Sequence, residues 1–513
     1  MPKTTPRSRF ATGIVPAMFA ATALLLAQSA PQPGAARGSS MLEKERIYKE
    51  PVFFSPNEVP RWPVTKEMQA YVSINGDHLL QYVKDLTEIS NHSRDRGEQL
   101  WGRITGTQSD AETAHWFAAQ LRKAGVTDVH EQPLDLPQQR EVRSWSVSVL
   151  ANRQTIPLDS SVAARGAPGT NGAELDVEAV YVGLGSEADF AGRDVKGKAV
   201  FIYSVPLPGA WQQTYTRFDA AKRAEDRGAA AVFVTIAIPG NMRTVVGAST
   251  RVPGFTLGSQ DGARVRELIE KAAPGKVPRV KIRADIGTAN GQKTSLVWGI
   301  LPGMSDEKII INAHRDGYYE AANDNATGIA TALGLAEYFA KMPKEKRRRT
   351  LIVIGNPGHH NTPVGSQYLV AHKDEFYSKA ALLINCEHTA QYRTDLYGNR
   401  LMALDVSWEA NIYVGGGPKL EPLVEKDLAL LGVSHYKELD PSPAGDIGQT
   451  YRLAPSLQLI VATHFYHTDH DTYETIPPNG LENVTRAYAK IIDDVNKLDL
   501  ADVAWPHEGI STK

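Results

Sequence analysis

The sequence repeats one unit from residue 308 to residue 462: a short apolar run, a loop and a helical segment. The runs 309–311 and 350–354 are β-branched, and the helical segment 328–341 lies between them. Short runs that are apolar throughout are typical of strands buried on both faces. Their alternation with helices predicts an α/β fold in which a mostly parallel central sheet is flanked by helices.

A side chain of a metal-binding type follows each of these predicted strands. Ligands of open α/β sheets bind beyond the carboxyl ends of the strands, so we expect these side chains to meet in one site. In chain order they are His314 after the run 309–311, His359 and His360 after 350–354, Glu387 after the apolar run 381–384, and His467 after the apolar run 457–462.

Asp324 and Tyr466 complete this pattern. Asp324 lies between two asparagines in the loop after His314, and Tyr466 directly precedes His467. Zinc accepts both imidazole and carboxylate ligands. Hydrolytic two-metal sites hold their ions about 3.5–4 Å apart and share a carboxylate between them. The pattern therefore indicates a metallohydrolase.

The length and charge of the chain limit the other classes of protein. At 513 residues the chain is too long for one ordinary core, which predicts two or three domains. The formal net charge is −2, with basic and acidic residues interspersed. No nucleic-acid partner is therefore expected, and no membrane contact beyond export.

The first residues have the pattern of an export signal. Basic residues precede an apolar stretch over residues 10–27, and the small residues Ala27 and Ser29 suit cleavage by a signal peptidase. The sequence predicts a secreted or periplasmic protein, with a cleaved signal favoured over a membrane anchor. The following segment is rich in Pro, Gly, Ala and Ser, as expected for a linker.

The motifs together resemble the zinc-dependent exopeptidase family of secreted bacterial aminopeptidases and glutamate carboxypeptidase II. Residues 294–303 are similar to the lead-in strand and turn of that family, and residues 195–200 and 228–232 resemble its inserted protease-associated domain. The resemblance implies a zinc exopeptidase-like fold with an inserted β-rich protease-associated domain. The implied parts are a signal peptide (1–29), a linker (30–66), the first part of the peptidase-like domain (67–155), the insert (156–288), the second part of the peptidase-like domain (289–500) and a tail (501–513).

The resemblance also implies which residues bind metal. His314 and Glu387 would hold a first ion, and Asp324 would bridge it to a second. His360 and His467 would hold the second ion. Glu387 stands where the family has an aspartate, a longer side chain of the same charge.

His359 and His360 stand where the family carries a general-base glutamate and a metal-binding carboxylate. Imidazole is a common metal ligand, so His360 is still expected to bind the second ion. His359 is expected to act as the general base, because an ordinary imidazole pKa of about 6.5 suits proton transfer at neutral pH. Two nearby dications should lower that pKa, which would weaken the base.

Three further residues receive supporting roles from the resemblance. Tyr466 matches a tyrosine that donates a hydrogen bond to the developing oxyanion. Asp316 is expected to orient the ring of His314, and Asp471 that of His467. The loops 398–405 and 436–449 are expected to set substrate specificity.

The sequence thus predicts an exported zinc-dependent hydrolase of peptide or other amide bonds. The expected type is a metallo-exopeptidase, aminopeptidase-like, with one or two zinc ions and a peptide or small amide substrate. The alternative is a catalytically inactive peptidase-like binding protein. A single-metal acyltransferase resembling glutaminyl cyclases is a third interpretation, which the insert disfavours. The direction of exopeptidase cleavage and the oligomeric state stay open.

Overall fold

The computed structural model describes residues 52–54, 64–207, 213–397, 400–437 and 443–505. The predicted signal peptide and most of the predicted linker and tail lie outside these residues. All described residues fall within one unit, Glu50–Lys513. Among them no helix has both the length and the apolar character needed to cross a membrane.

The central sheet has eight strands, and its four inner strands are parallel. Antiparallel pairs lie toward both edges. The predicted α/β fold with a central sheet flanked by helices is confirmed. From edge to edge the strands are His435–Lys437, Ala410–Gly415, Ser456–Ile460, Ala380–Cys386, Lys308–His314, Thr350–Asn356, Lys293–Leu301 and Asp128–Asp135.

The β-branched runs build a core on each face of this sheet. Ile309 and Ile311 lie in the larger core, and Ile310 lies in the opposite one. Successive side chains of a strand point to opposite faces, so a run that is apolar throughout must be covered on both sides. The longer helices of the chain are Gly76–Asp95, Gln108–Lys123, Ser259–Glu270, Gly328–Ala340, Leu420–Leu430 and Pro478–Val495.

A second eight-stranded sheet occupies the middle of the chain. Phe201, Phe233 and Phe255 stack across three of its strands, with ring centroids 4.6 and 5.3 Å apart. Alternate residues of the same strands face another core. From edge to edge the strands are Gln154–Pro157, Gln139–Ala151, Arg279–Ala289, Leu175–Tyr181, Ala199–Ser204, Ala231–Ile236, Gly254–Leu257 and Val162–Ala163.

The second sheet begins before the predicted start of the insert at residue 156. Its strand Gln139–Ala151 pairs along its length with Arg279–Ala289. In the same region two short helices, Thr214–Arg217 and Ala220–Asp226, follow each other closely. Asp219 between them has a left-handed backbone, with φ of +49°, which interrupts the helical hydrogen bonds.

The remaining elements are short. Three-stranded and two-stranded sheets are formed by Val52–Phe54, Arg400–Ser407 and Tyr392–Tyr397, and by Gly317–Tyr318 and Gly102–Arg103. The short helical segments are Lys66–Tyr71, Glu187–Phe190, Ala322–Thr327, Lys344–Lys346, Val364–Ala371, Lys373–Phe376, Asp446–Gln449, Tyr473–Thr475 and Leu500–Val503.

Candidate metal centre

The candidate centre lies at the carboxyl ends of the four inner strands. His314 is the last residue of Lys308–His314, and the other predicted ligands follow the neighbouring strands. Asp324 comes from the turn Ala322–Thr327, where a cis peptide bond joins it to Asn325. All five predicted metal ligands are buried. The structure thus brings together side chains that the sequence separates by up to 153 positions, as counted from His314 to His467.

One group of possible ligands surrounds Oδ2 of Asp324. His467 Nε2 lies 3.0 Å from this oxygen, and His360 Nε2 lies 3.2 Å from it. The two imidazole nitrogens are 3.0 Å apart. Burial lowers the pKa of His467 to about 4, so its ring is neutral at pH 7, which is the form that binds metals.

A second group surrounds Oδ1 of the same carboxylate. His388 Nε2 lies 3.0 Å from this oxygen, and His314 Nε2 lies 3.4 Å from it. Ligand atoms of His314, Glu387 and His388 all lie within 4.8 Å of one another. Asp324 therefore stands between two groups of donors, as a carboxylate shared by two ions would.

These donors fit zinc. Atoms bonded to one tetrahedral zinc at about 2.0–2.1 Å are about 3.3 Å apart, which is close to the separations in both groups. Asp324 Oδ1, His314 Nε2 and His388 Nε2 are buried and have no hydrogen-bond partner within the described ranges. Leaving such atoms unpaired costs free energy, and a cation bound among them would satisfy them.

Asp316 holds the His359–His360 turn as well as touching His314. Its carboxylate accepts hydrogen bonds from the backbone N–H groups of His359 and His360, at 3.1 and 2.8 Å. It also lies 3.1 Å from Nδ1 of His360. Nδ1 of His314 instead contacts the backbone oxygen of Asp316 at 3.1 Å, whereas the carboxylate is 3.7 Å away. The carboxylate thus orients His360 more directly than the expected His314.

Asp471 supports the turn of Asp324 rather than the expected His467. Its carboxylate accepts hydrogen bonds from the backbone N–H groups of Asn323 and Asp324, at 2.8 and 3.1 Å. Nδ1 of His467 lies 2.9 Å from the backbone oxygen of Val245, a residue of the middle of the chain. The segment around Val245 therefore orients a predicted metal ligand.

His359 belongs to neither group of donors. Its ring stacks on that of His314, with centroids 4.2 Å apart, and its side chain is 20% exposed. Burial opposes protonation, but Asp446 and Glu387, at 3.7 and 3.9 Å, raise the pKa of His359 to about 10. The negative charges of Asp446 and Glu387 thus raise the pKa of His359, whereas two bound dications would lower it.

Tyr466 contacts a histidine of each donor group. Its ring stacks on that of His467 with centroids 3.8 Å apart, and it also contacts His388. Burial and the charge of Asp324 raise the pKa of the Tyr466 hydroxyl above its ordinary value. The hydroxyl therefore stays protonated at neutral pH and can donate a hydrogen bond.

Asp446 and His388 are buried residues of this centre that the sequence analysis did not single out. Asp446 accepts hydrogen bonds from Asn312 and Asn356, at 2.9 and 2.6 Å, and its N–H donates to Glu387. It lies in the loop 436–449, which the sequence analysis expected to set substrate specificity.

The sequence signal for His388 was its position next to Glu387. Consecutive side chains of a strand point to opposite faces, so this position alone did not predict that both would reach the centre. The strand ends at residue 386, and a left-handed backbone at His388, with φ of +49°, turns its ring inward.

A cavity of about 910 Å³ reaches the centre. Its wall includes His359, His360 and Tyr318, together with residues of the second sheet region, which is residues 139–289. The arginines on the wall are Arg96, Arg140, Arg143 and Arg165. Arg143 is paired with Glu141 and Asp285.

The comparisons with known proteins agree with this fold. The sequence pattern of peptidase family M28 matches residues 297–492, while no curated protein matches the chain. The structure is similar to a zinc aminopeptidase from Bacillus subtilis, with 18% identity, 84% of this chain and 98% of that chain covered, and a TM-score of 0.59.

Two further solved structures share the fold. One is an aminopeptidase from Aneurinibacillus sp. strain AM-1, with 17% identity, 87% and 98% of the two chains covered, and a TM-score of 0.54. The other is a peptidase M28 precursor from Shewanella amazonensis, with 17% identity, 82% and 96% covered, and a TM-score of 0.63. Residues 297–492 thus match the pattern of peptidase family M28, and the chain has the fold of these three solved structures.

Proposed function

We propose that the chain is an exported zinc-dependent exopeptidase of the aminopeptidase type, in which His359 and His360 replace the usual pair of glutamates. The main observation behind this proposal is that imidazole nitrogens of two donor groups lie 3.0 to 3.4 Å from the two carboxylate oxygens of Asp324. The cavity beside them supports the proposal, because it has room for a peptide substrate.

His314, Asp324 and Glu387 would hold one zinc ion, and Asp324, His360 and His467 the other. When bound, zinc supplies Lewis acidity, which polarises an amide carbonyl and makes water more acidic. Asp316 and Asp471 keep His360 and the Asp324 turn in place through their hydrogen bonds.

His359 and Tyr466 are the residues that would act on the substrate. His359 lies on the cavity wall. Its pKa would be lowered from about 10 by bound zinc ions, and the neutral ring would take the proton of the attacking water, then give it to the leaving amine as the C–N bond breaks. The Tyr466 hydroxyl would donate a hydrogen bond to the oxygen on which negative charge develops.

The second candidate function is a catalytically inactive binding protein with the same fold. The observation that favours it is the replacement of both expected glutamates by histidines, together with the position of His388 at 3.0 Å from Asp324. A protonated His388 could neutralise that carboxylate as an ion pair, without a bound cation.

The experiment measures zinc per chain in the purified mature protein and the release of free amine from matched peptides. The peptides form three sets: free at both ends, acetylated at the N-terminus, or amidated at the C-terminus. We expect bound zinc, and cleavage that acetylation blocks and amidation permits. Loss of cleavage with a chelator and its return with zinc would complete the result. Zinc-free protein without cleavage would overturn the proposal in favour of the binding protein.

Export is a separate part of the proposal and has its own test. Residues 1–29 would direct secretion or entry into the periplasm, followed by cleavage after the segment. Fusion of this segment to a reporter that is active only outside the cytoplasm should give activity and a shortened N-terminus. A reporter that stays inactive in the cytoplasm would contradict export.

A further inference from the structure

We infer that His388 is itself a metal ligand, which makes the centre richer in imidazole than the predicted ligand set. This inference rests on the proposed function, because it assigns one more residue to the same centre. The predicted set had one imidazole, His314, at the Oδ1 side of Asp324. The structure places a second imidazole there, nearer to that oxygen than His314 is.

The burial of His388 supports a ligand role. The residue is 3% exposed, and in the part of the chain that the structure describes neither ring nitrogen makes a hydrogen bond of normal geometry, although Nε2 lies 3.0 Å from Asp324 Oδ1. A buried polar atom without a hydrogen bond costs free energy. Coordination through Nε2, which faces Asp324 Oδ1, would remove that cost for one of the two nitrogens.

Glu387 offers only one of its two oxygens to this side of Asp324. Its Oε2 accepts hydrogen bonds from Asn385 Nδ2 at 2.7 Å and from the N–H of Asp446 at 2.9 Å. These bonds draw one oxygen toward the loop 446–449 and leave Oε1 as the free donor. With Asp324 Oδ1 and His314 Nε2, that makes three protein ligands. His388 Nε2 would bring the number to four, the count of a closed zinc site, so the open position for water would belong to the ion held by Asp324, His360 and His467.

The backbone turns both neighbours toward the same centre. Glu387 and His388 follow the strand Ala380–Cys386 directly, and consecutive side chains of a continued strand would diverge. The φ of +49° at His388 breaks this alternation. Its N–H donates to Asn325 Oδ1 at 3.0 Å, so the neighbour of Asp324 holds the turn in place.

The first test compares the wild type with His388→Gln, in the full mature chain. His470→Gln is the matched control, because His470 lies three positions after His467 but pairs with Asp469 at 2.8 Å. Zinc per chain is measured by elemental analysis, and both zinc dissociation constants by competition with a chromophoric chelator. We expect the wild type and the control to bind two zinc ions. In His388→Gln one of the two should bind at least about tenfold more weakly, while the other keeps its affinity.

The outcomes separate this inference from the proposed function. Unchanged or tighter zinc binding by His388→Gln would overturn the inference, because a protonated His388 that pairs with Asp324 would compete with the metal. Zinc-binding wild type that cleaves no peptide would overturn the proposed function and leave the ligand assignment intact. Wild type that binds no zinc would overturn both.

A second measurement needs no variant and covers the case in which His388→Gln fails to fold. The wild-type chain is loaded with cobalt(II), and its hyperfine-shifted imidazole resonances are counted by NMR. Four shifted imidazoles are expected, from His314, His360, His388 and His467. Three would overturn the assignment of His388.

Discussion

The two adjacent histidines differ in what they can do, although each replaces a glutamate of the expected pattern. His360 is oriented by Asp316 through two hydrogen bonds and directs Nε2 at Asp324. His359 stacks on His314 and lies on the cavity wall. The same turn therefore supplies one residue to the donor groups and another to the space where a substrate would lie.

Substitution of the two histidines should separate chemistry from metal binding. His359→Gln should keep its zinc while kcat falls about 10² to 10⁴-fold, because a general base contributes that much. His360→Gln should instead lose zinc from the His467 side of Asp324. Zinc per chain and kcat are measured for both, with His470→Gln as control. If His359→Gln loses as much zinc as His360→Gln, the two roles are assigned to the wrong neighbours.

Gly445 lets the backbone before Asp446 lie close to the carboxylate of Glu387. Its φ is +83°, and a Cβ at this position would lie 2.3 Å from Glu387 Oε2. Gly445→Ala should therefore displace Glu387 and weaken zinc binding. Gly172→Ala is a matched control, because Gly172 has φ of +78° and open space where the Cβ would be.

The control separates backbone strain from the clash. Both variants should lose about 1–2 kcal/mol of unfolding free energy, the cost of a left-handed backbone for alanine. Only Gly445→Ala should also lose zinc affinity and kcat. Chemical denaturation and chelator competition measure the two effects, and equal zinc affinities in both variants would contradict the prediction.

At the scale of elements, a buried ion pair fastens a helix to the strand that carries His314. Arg315 donates to Asp110 Oδ1 at 3.2 Å and to the backbone oxygen of Gly355 at 3.2 Å. Asp110 lies in the first turn of Gln108–Lys123, and both side chains are almost fully buried. Burial raises the pKa of Asp110, which the charge of Arg315 opposes. The charge of the arginine thus limits the rise in the pKa of a buried carboxyl group.

Removal of this arginine should destabilise the whole fold. Arg315→Met leaves Asp110 without its charge partner, which costs about 3–5 kcal/mol for a buried pair. Arg94→Met is the control, because Arg94 and Asp95 form an exposed pair and such pairs contribute less than about 1 kcal/mol. Urea unfolding followed by circular dichroism measures both. A loss below about 1 kcal/mol in Arg315→Met would show that the pair is not needed for stability.

At the scale of the whole molecule, the second sheet region forms part of the centre. Val245 orients His467 through its backbone oxygen, and its N–H donates to the backbone oxygen of His467 at 2.9 Å. The region also brings Arg165 to the cavity wall. Burial raises the pKa of Tyr318 to about 12, and the nearby charge of Arg165 acts against that rise. The region therefore contributes both to ligand geometry and to the charge of the cavity.

The charge of Arg165 should favour peptides with a free C-terminal carboxylate. In Arg165→Gln, kcat/KM for short peptides with this carboxylate should fall about tenfold, since a hydrogen bond to a charged group contributes about 1.5–3 kcal/mol. For the amidated forms of the same peptides it should change little. Arg143→Gln is the control, because Arg143 lines the same cavity but is already paired with Glu141 and Asp285. Equal losses for free and amidated peptides would contradict this subsite.

The sequence by itself determined the α/β class and the edge of the sheet at which His314, His360, Glu387 and His467 meet. It could do so because apolar runs report buried strands, and parallel strands end at one edge. The metal-binding and catalytic roles of these residues stay predictions, which the variants above would test.

Only the tertiary structure decided which groups surround these side chains. Val245 reaches His467 across 222 positions of the chain, a contact that no local pattern indicates. The ring of His388 turns toward the centre because the backbone of His388 is left-handed. Asp471 accepts hydrogen bonds from the turn of Asp324 and does not orient His467, its near neighbour in the sequence. Hydrogen-bond partners depend on the packing of distant segments, whereas periodicity reports only which residues are buried in their own strand or helix.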